Sequence, residues 1–256
     1  MARAIEILRV LGGAARGAGV TEVAERLGVA KPTAHALLRT LEAGQLVAQD
    51  AETGKYRLGP ALLELGNAYL ETHELRARSV AWADGLASRT GEAVWVGVLS
   101  GDHVLVVHHA FRPEGAVQIL EVGAAVPWHT CALGKAIVAV LPDPERAALL
   151  RAPLPALTGA TLTDAAELGE ELASARATGY AVEDGEAAIG DAGLAAPVYD
   201  HTGAVAGAIG LVGPVERLLG DNRSELAVAV RETARHLSRD LGSGRPAARG
   251  WIAAAS

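Results

Sequence analysis

The feature that most constrains the fold of this chain is a pair of helical patterns joined by a tight turn over residues 21–41. In the second pattern, apolar residues recur at helical spacing and predict a buried stripe. The stripe consists of Ala34, Leu37, Leu38 and Leu41. Pro32 suits the first turn of that helix, where its missing N–H costs nothing. Gly28 predicts the left-handed residue that ends the preceding helix.

A further helix is predicted ahead of this pair, over residues 2–11, because apolar side chains recur there at helical spacing. Its apolar face consists of Ala4, Ile5, Ile7, Leu8 and Leu11. Gly12 and Gly13 end this helix. Thr21 is the predicted N-cap of the next one, since a hydroxyl oxygen in that position accepts hydrogen bonds from free backbone N–H groups.

Two short strands are predicted after the helices, over residues 46–50 and 55–58, with a turn over 51–54. Lys55 and Arg57 alternate on one side of the second strand. Cations on that side are placed to bind phosphate groups. A helical pair followed by a small basic hairpin is the layout of a winged helix–turn–helix.

The outward face of the helix that contains Pro32 carries methyl, hydroxyl, imidazole and guanidinium groups. Such groups contact thymine methyls, base edges and phosphates in a major groove. The alternative is an ordinary helical hairpin in a core, and the basic hairpin at the expected distance favours DNA. The residues predicted to contact double-stranded DNA are Thr21, Lys31, Pro32, Thr33, His35, Ala36, Arg39, Lys55, Tyr56 and Arg57.

The charge distribution permits DNA contact despite a net charge of −7. Residues 1–58 contain 8 basic and 6 acidic side chains, whereas residues 59–256 contain 15 and 24. This asymmetry indicates a division of labour along the chain. The single cysteine, Cys131, excludes a disulfide framework within one chain and indicates the reducing cytoplasm. Charges near the N-terminus argue against a secretory signal, and no apolar run is long enough to span a membrane.

Helical spacing returns over residues 61–72 and 74–90, after a break at Gly59 and Pro60. The length of 256 residues fits two modest domains. We therefore expect four consecutive regions: a DNA-binding domain, a helical linker, a larger C-terminal domain and a disordered tail. Their expected limits are residues 1–58, 59–91, 92–241 and 242–256.

Beyond the linker, β-branched runs are arranged as hairpins with helical patterns between them. This order predicts an α+β domain with an antiparallel sheet flanked by helices. The predicted strands cover residues 93–99, 104–109, 117–122, 180–184, 193–199 and 205–211. The predicted helices cover residues 131–140, 143–150, 164–178 and 216–240.

Several of these segments resemble the IclR family of bacterial transcription regulators. In the N-terminal part they are EVAERLG at 22–28, KPTAHALLRTL at 31–41, the segment 44–58 and LGPALLELG at 58–66. In the C-terminal part they are PWHTCALGKA at 127–136, GYAVEDGE at 179–186, LAAPVYD at 194–200 and GAIGLVGP at 207–214. The resemblance covers residues 2 to about 241. It implies a winged helix–turn–helix, a linker that helps two chains to pair, and a GAF-like effector-binding domain.

The resemblance also implies a pocket for a small-molecule effector. In the family this pocket uses the start of the helix near Cys131 and the strands that face it. A helix start attracts carboxylate or phosphate oxygens, and Thr130 is the expected cap of this one. Carried over by position, the expected ligand-binding residues are Thr130, Cys131, Ala132, Leu133, Glu183, Asp191, Gly193, Gly210 and Val212. No metal and no cofactor are expected.

Two shorter segments, HELRAR at 73–78 and VHHAFRP at 107–113, resemble the actinobacterial regulators of glycerol operons within the family. This resemblance implies glycerol or glycerol 3-phosphate as the effector, and the phosphate is favoured because it would suit the helix start at residues 130–132. An alternative within the family is a regulator of aromatic or organic acid catabolism. In either case we expect a cytoplasmic repressor that binds its operator as a homodimer, with pairs able to form a dimer of dimers.

Two readings outside this class are also open. Cys131 at a helix start, with His129 as its base, could serve as the nucleophile of an enzyme. However, no orienting Asn or Asp is placed by the sequence. Alternatively, His108, His109 and His129 could bind a metal, although the histidines lack the usual ligand spacing.

Overall fold

The computed structural model describes residues 1–114 and 120–244. They belong to two compact units, one ending at Thr72 and the other beginning at His73. Helices and an antiparallel sheet both contribute, so the predicted α+β class is confirmed. Most of the expected disordered tail, residues 245–256, lies outside the described residues.

The N-terminal unit begins with three helices, continues as a two-stranded hairpin and ends in a fourth helix. The helices are α1 (Ala2–Gly12), α2 (Val20–Leu27), α3 (Lys31–Ala43) and α4 (Ala61–Thr72), and the strands are β1 (Val47–Gln49) and β2 (Tyr56–Leu58). The strands are antiparallel, with Val47 opposite Leu58. This is the predicted winged helix–turn–helix.

One small core holds the N-terminal unit together, and α3 contributes the stripe predicted from its spacing. Ala34, Leu38 and Leu41 are buried, and Leu37 packs against their cluster. Gly28 adopts the left-handed conformation at φ 61°, which lets α2 end sharply before α3. Because these apolar side chains fix the inner face of α3, its polar face points outward.

Two details of this unit differ from the sequence-based expectations. Ile5 is 47% exposed, because α1 packs through Ile7 and Leu11, which lie one helical turn apart. Thr21 is not an N-cap, since α2 already begins at Val20 and its N-cap is the extended residue Gly19. Thr21 instead lies exposed within the first turn of α2.

The helix α4 buries none of its residues. Leu63, Leu65 and Tyr69 are among the exposed large apolar side chains. Within the described ranges, no helix has both the length and the apolar composition that crossing a membrane requires.

The C-terminal unit contains a six-stranded sheet in which every neighbouring pair is antiparallel. Its strands are β3 (Ala93–Ser100), β4 (His103–Ala110), β5 (Ala125–Pro127), β6 (Ala181–Asp184), β7 (Asp191–Tyr199) and β8 (Val205–Pro214), and their order is β5-β4-β3-β8-β7-β6. Its helices are α5 (Glu74–Thr90), α6 (Ala132–Ala139), α7 (Asp143–Arg151), α8 (Ala165–Thr178), α9 (Val215–Leu218) and α10 (Arg223–Asp240). This arrangement confirms the predicted antiparallel sheet flanked by helices.

Helices cover both faces of this sheet. A side chain at Gly97 would meet Leu133 of α6, whereas one at Gly207 would meet Leu75 of α5, so these helices lie on opposite faces. α10 packs against α5 and against β7. The face under α6 is the one that carries the cavity described below.

Two predicted elements of this unit were wrong in extent. The closing helix predicted over 216–240 is interrupted, and α9 and α10 are separate helices, with Gly220 between them. A strand was predicted over 117–122. Residues 117–119 lie outside the described residues, 120–122 form no strand, and the edge strand here is β5.

The start of α6 also differs from the prediction. A short 3-10 helix, Trp128–Thr130, precedes α6, and the N-cap residue is Cys131. Thr130 is fully buried and its hydroxyl donates to the carbonyl of Pro127, so it does not cap α6. Gly134 is required at this turn, because a Cβ there would overlap the backbone of Trp128.

Candidate nucleic-acid interface and ligand cavity

The outward face of α3 is open to solvent along its length. Of the residues predicted to contact DNA, six lie on this helix and all are exposed: Lys31, Pro32, Thr33, His35, Ala36 and Arg39. The side chain of Arg39 is 65% exposed and lies 3.1 Å from a carboxylate oxygen of Glu42. An exposed pair of this kind is weak. The guanidinium is therefore free to exchange Glu42 for a phosphate or a base edge at little cost.

The hairpin places two further predicted residues in solvent. Lys55 and Arg57 are exposed, and an Nη of Arg57 lies 3.5 Å from a carboxylate oxygen of Asp50, the residue that follows β1. The turn between the strands is held by the other oxygen of Asp50, which accepts from the backbone N–H and the hydroxyl of Thr53. These hydrogen bonds hold the pKa of Asp50 below its ordinary value, so the carboxylate stays ionised and the turn stays fixed.

Tyr56 was wrongly included among the residues expected to contact DNA. It is fully buried in the core of the N-terminal unit, and its backbone is hydrogen-bonded in both directions to Ala18. Side chains alternate along a strand, so the exposure of Lys55 and Arg57 requires Tyr56 to point inward. Burial raises the pKa of its phenol, and within the described residues the hydroxyl has no hydrogen-bond partner.

The C-terminal unit contains a cavity of about 120 Å³ between the start of α6 and the sheet. We call it the sheet–helix cavity. Its walls are formed by Trp95, Val126, Cys131, Ala132, Leu133, Glu183, Ala187, Ala188, Asp191, Gly193, Ala195, Leu211 and Val212. It is smaller than the roughly 300–1,000 Å³ typical of sites for drug-sized ligands. Its volume therefore suits a small metabolite.

The pairing register of strands β6, β7 and β8 explains why the sheet–helix cavity is open. Glu183, Gly193 and Val212 lie opposite one another on three adjacent strands. Gly193 carries no side chain, and a Cβ there would lie 3.0 Å from the Cβ of Ala132 and 3.5 Å from an oxygen of Glu183. The glycine thus opens the cavity between the carboxyl group of Glu183 and the first turn of α6.

Glu183 is the buried polar group of the cavity wall. Its Oε1 accepts hydrogen bonds from the backbone N–H groups of Glu186 (2.7 Å) and Ala187 (3.3 Å). Burial raises its pKa from 4.5 to about 7, despite these hydrogen bonds. Near neutral pH the group exists in both protonation states, so it can accept hydrogen bonds from a ligand or donate one.

A buried ion network lies next to the cavity and fixes its parts to one another. Lys135 of α6 is fully buried, and its Nζ lies 2.9 Å from Glu171 and 2.5 Å from Glu186. A buried charge is tolerated only when it is paired in this way. Because Glu186 also donates its N–H to Glu183, the network links α6, α8 and the loop after β6.

Seven of the nine residues expected to bind the ligand line this cavity: Cys131, Ala132, Leu133, Glu183, Asp191, Gly193 and Val212. Thr130 and Gly210 do not. Thr130 lies in the core, and Gly210 is closely surrounded by the backbone of Leu194 and by Ala195. Sequence reasoning missed Trp95 of the cavity wall, although its place in an alternating strand was a usable signal. Ala187 and Ala188 lie in a loop with no such signal.

The geometry contradicts the reading of Cys131 as a nucleophile. The thiol is buried, and burial raises its pKa to about 12, so it is not a thiolate near neutral pH. Nε2 of His129 forms a hydrogen bond with the carbonyl oxygen of Pro155, 3.1 Å away. The expected base is therefore committed to another partner.

The metal-sensor reading also finds no support in the described part of the chain, where no group of three or more potential ligand side chains could hold a metal ion. His108 and His109 are consecutive residues of β4, so their side chains point to opposite faces of the sheet.

Comparison with known protein families covers almost the whole chain. Residues 1–51 match the IclR helix-turn-helix domain, and residues 67–239 match the domain described as "Bacterial transcriptional regulator IclR C-terminal". The glycerol operon regulatory protein of Streptomyces griseus is 48% identical over 95% of this chain and 96% of its own length. The protein of the same name from Streptomyces coelicolor is 46% identical over the same shares.

Solved structures agree with this match. The IclR transcriptional regulator from Alicyclobacillus acidocaldarius is 31% identical, with a TM-score of 0.79 over 94% of this chain and 98% of its own. A putative IclR regulator from Silicibacter is 26% identical, with a TM-score of 0.81 over 96% and 97%. The exposed α3 therefore lies in the helix-turn-helix domain of a transcriptional regulator and not in an enzyme. The chain belongs to the IclR family of bacterial transcriptional regulators.

Proposed function

We propose that this regulator contacts the bases of its operator with the outward face of α3 and binds the flanking phosphates with the β1–β2 hairpin. The support is that the buried leucines of α3 hold its polar face outward, where His35 and Arg39 are exposed. The proposed contacts are Thr21, Lys31, Pro32, Thr33, His35, Ala36, Arg39, Lys55 and Arg57. Base contacts from α3 supply specificity, and the hairpin cations supply affinity that depends on salt.

We propose glycerol as the effector and glycerol utilisation as the controlled process. The names of the two Streptomyces relatives support the process, and the volume of the sheet–helix cavity supports a ligand of a few heavy atoms. Two carboxyl groups, Glu183 and Asp191, lie in the cavity wall, and no lysine or arginine is among its described wall residues. Hydroxyl groups can donate to these carboxylates and accept from the first turn of α6.

The same charges argue against an anionic effector. A phosphate or carboxylate at the start of α6 would gain about 1 kcal/mol from the helix dipole, but it would lie beside two carboxyl groups, Glu183 and Asp191, with no lysine or arginine among the described wall residues. Neutral glycerol therefore fits better than glycerol 3-phosphate. It also fits better than the aromatic and organic acids of the alternative reading.

We further propose that the regulator is a cytoplasmic repressor and that two chains pair on a pseudo-palindromic operator, with pairs forming a dimer of dimers. The two DNA-binding domains of a dimer suit an operator that consists of two half-sites. Glycerol releases the DNA if it binds better to the arrangement of chains that does not fit the operator. The buried network at Lys135 links the cavity to α8 and is a route for this coupling.

The experiment that tests this function is a DNA-release titration. The full chain is bound to labelled DNA from upstream of its own gene, and fluorescence anisotropy is followed as glycerol, glycerol 3-phosphate or benzoate is added. We expect release by glycerol at the lowest concentration. Gly193→Val is the matched blocking variant, because its side chain fills the cavity against Ala132; it should bind DNA and ignore glycerol. Release by an acid alone would contradict the effector assignment.

A further inference from the structure

A second cleft of the C-terminal unit lies between α10 and the end of β7. It has a volume of about 570 Å³, and we call it the α10 cleft. Among the described residues, it shares no wall residue with the sheet–helix cavity. Sites for small molecules typically have volumes of roughly 300–1,000 Å³. The α10 cleft can therefore hold a ligand much larger than glycerol.

The floor of the α10 cleft is apolar and lies where β7 continues past its neighbour. In the described sheet, β6 pairs with β7 only as far as Ala195. Beyond that point Pro197 and Tyr199 line the cleft, and Val228 of α10 lines it as well. Pro197 has no N–H, and the N–H of Tyr199 already donates to the hydroxyl of Ser238 at 3.0 Å. A peptide strand would find no donor at these two residues, so the floor suits the apolar body of a small molecule better.

One wall of the α10 cleft carries a row of arginines. Arg231, Arg235 and Arg239 are spaced four residues apart on α10, and all three line the cleft and are exposed. Four residues of helix rise about 6 Å, so the row spans about 12 Å. Within the described ranges, none of the three guanidinium groups forms a hydrogen bond or an ion pair. Like charges at this spacing destabilise a helix, and a bound anion would remove that repulsion.

The charge of the α10 cleft is opposite in sign to that of the chain around it. Its described wall contains three arginines and one acidic residue, Glu232, which leaves a balance of +2. Residues 59–256 as a whole contain 15 basic and 24 acidic side chains. Arg176 of α8 adds to the positive field, since its charge opposes the rise that burial causes in the pKa of Tyr199. This field favours an occupant with several negative charges, and guanidinium groups bind phosphate oxygens in pairs.

We propose that the α10 cleft binds a nucleoside di- or triphosphate as a second ligand of this regulator. Its phosphate groups pair with the arginine row of α10, and its base lies on Pro197 and Tyr199. Aromatic side chains accept stacked bases of any sequence. Inorganic phosphate would leave the apolar floor uncovered, and an uncharged nucleoside would leave the arginines unpaired. The proposal does not depend on which effector fills the sheet–helix cavity.

The test is calorimetric titration of the full chain with ATP and GTP, and with tripolyphosphate and adenosine as partial probes. We expect a nucleotide to bind, and both partial probes to bind at least about 10-fold more weakly than it does. Arg235→Gln and Arg239→Gln should each weaken nucleotide binding about 10-fold, which corresponds to about 1.4 kcal/mol. Arg231 is left in place, because it lies beside Gly179, the C-cap of α8. The matched control is Arg223→Gln, an exposed arginine of α10 outside the cleft wall, which should bind like the parent.

Several results would overturn the proposal. Neither nucleotide binds the folded chain, or both bind Arg235→Gln and Arg239→Gln as tightly as the parent. Tripolyphosphate binds as tightly as ATP, which would remove the base from the site. Nucleotide binding is lost in Lys55→Gln and kept in Arg235→Gln, which would place the anion on the β1–β2 hairpin. Arg235→Gln lowers the mass in light scattering while no nucleotide binds the parent, which would make this face an interface between two copies.

The variant Gly193→Val separates this proposal from the assignment of the effector. It fills the sheet–helix cavity and changes no wall residue of the α10 cleft. Nucleotide binding that persists in a Gly193→Val chain that ignores glycerol would support two separate sites. Loss of nucleotide binding in this variant would contradict the α10 cleft as the site.

Discussion

Replacing Glu183 by glutamine should change how the stability of this protein depends on pH. Glutamine has nearly the shape of the protonated acid, and its Oε1 can still accept from the N–H groups of Glu186 and Ala187. The substitution therefore removes the ionisation of this group while keeping its hydrogen bonds. Burial raises the pKa of Glu183 in the folded chain from 4.5 to about 7.

The sign and size of the effect follow from this shift. A folded-state pKa above the unfolded one adds stability that is fully present at low pH and is lost as pH rises through the folded value. A rise from 4.5 to about 7 corresponds to about 3 kcal/mol, most of it between about pH 5 and pH 8. The residue is 5% exposed, so solvent screens this effect little. Glu183→Gln has no ionisable group at this position, so its stability does not fall in this way as the pH rises.

The assay is urea unfolding of both proteins at several pH values, followed by circular dichroism. We expect the variant to gain about 2–3 kcal/mol relative to the parent between about pH 5 and pH 8. Comparison at each pH cancels the titration of groups that both proteins share. Glu170→Gln, an exposed carboxyl on α8, is the control and should show no such trend. A constant difference across the range would refute the assignment of a buried carboxyl with a raised pKa.

Two further substitutions and one labelling reaction test particular contacts. Tyr56→Phe should keep the unfolding free energy within about 1 kcal/mol and leave DNA affinity unchanged, because the buried hydroxyl has no partner among the described residues; a larger loss in denaturant unfolding would mean that it has one. Gly134→Ala should lower the unfolding free energy by about 3 kcal/mol, because the added methyl group overlaps the backbone of Trp128. The control Gly169→Ala has open space around it in α8 and should not lower it. Equal melting temperatures of the two variants would contradict this. Burial raises the pKa of the Cys131 thiol from 9.0 to about 12. Near pH 8 the thiol should therefore react with a thiol reagent roughly 1,000-fold more slowly in the folded chain than in the unfolded chain. Fast labelling of the folded protein would contradict the burial of the thiol.

Much of the fold could be predicted because local patterns and packing agree. The stripe of α3, the left-handed Gly28 and the alternating strands β3 and β4 each have a signal in a few consecutive residues. The errors occur where a longer-range contact decides. Thr21 is a good cap by type, but Ala18 pairs with the distant Tyr56, and the helix begins directly after it at Val20, with the extended Gly19 as its N-cap.

The site was less predictable from residues alone. The resemblance to the family pointed to seven of the residues that line the sheet–helix cavity, but nothing local shows that Thr130 turns into the core. The inward direction of Tyr56 was predictable, since its neighbours Lys55 and Arg57 face solvent.

The central claim is that the outward face of α3 reads DNA, and one measurement tests it most directly. The full chain is titrated against labelled DNA from upstream of its own gene at low salt, beside Arg39→Ala and Arg26→Ala. Both arginines are exposed and paired within a helix, Arg39 with Glu42 and Arg26 with Glu22, but only Arg39 lies on the proposed face. We expect Arg39→Ala to weaken binding by about 1–3 kcal/mol with an unchanged melting temperature, and Arg26→Ala to bind like the parent. Equal affinity of all three proteins would contradict the account.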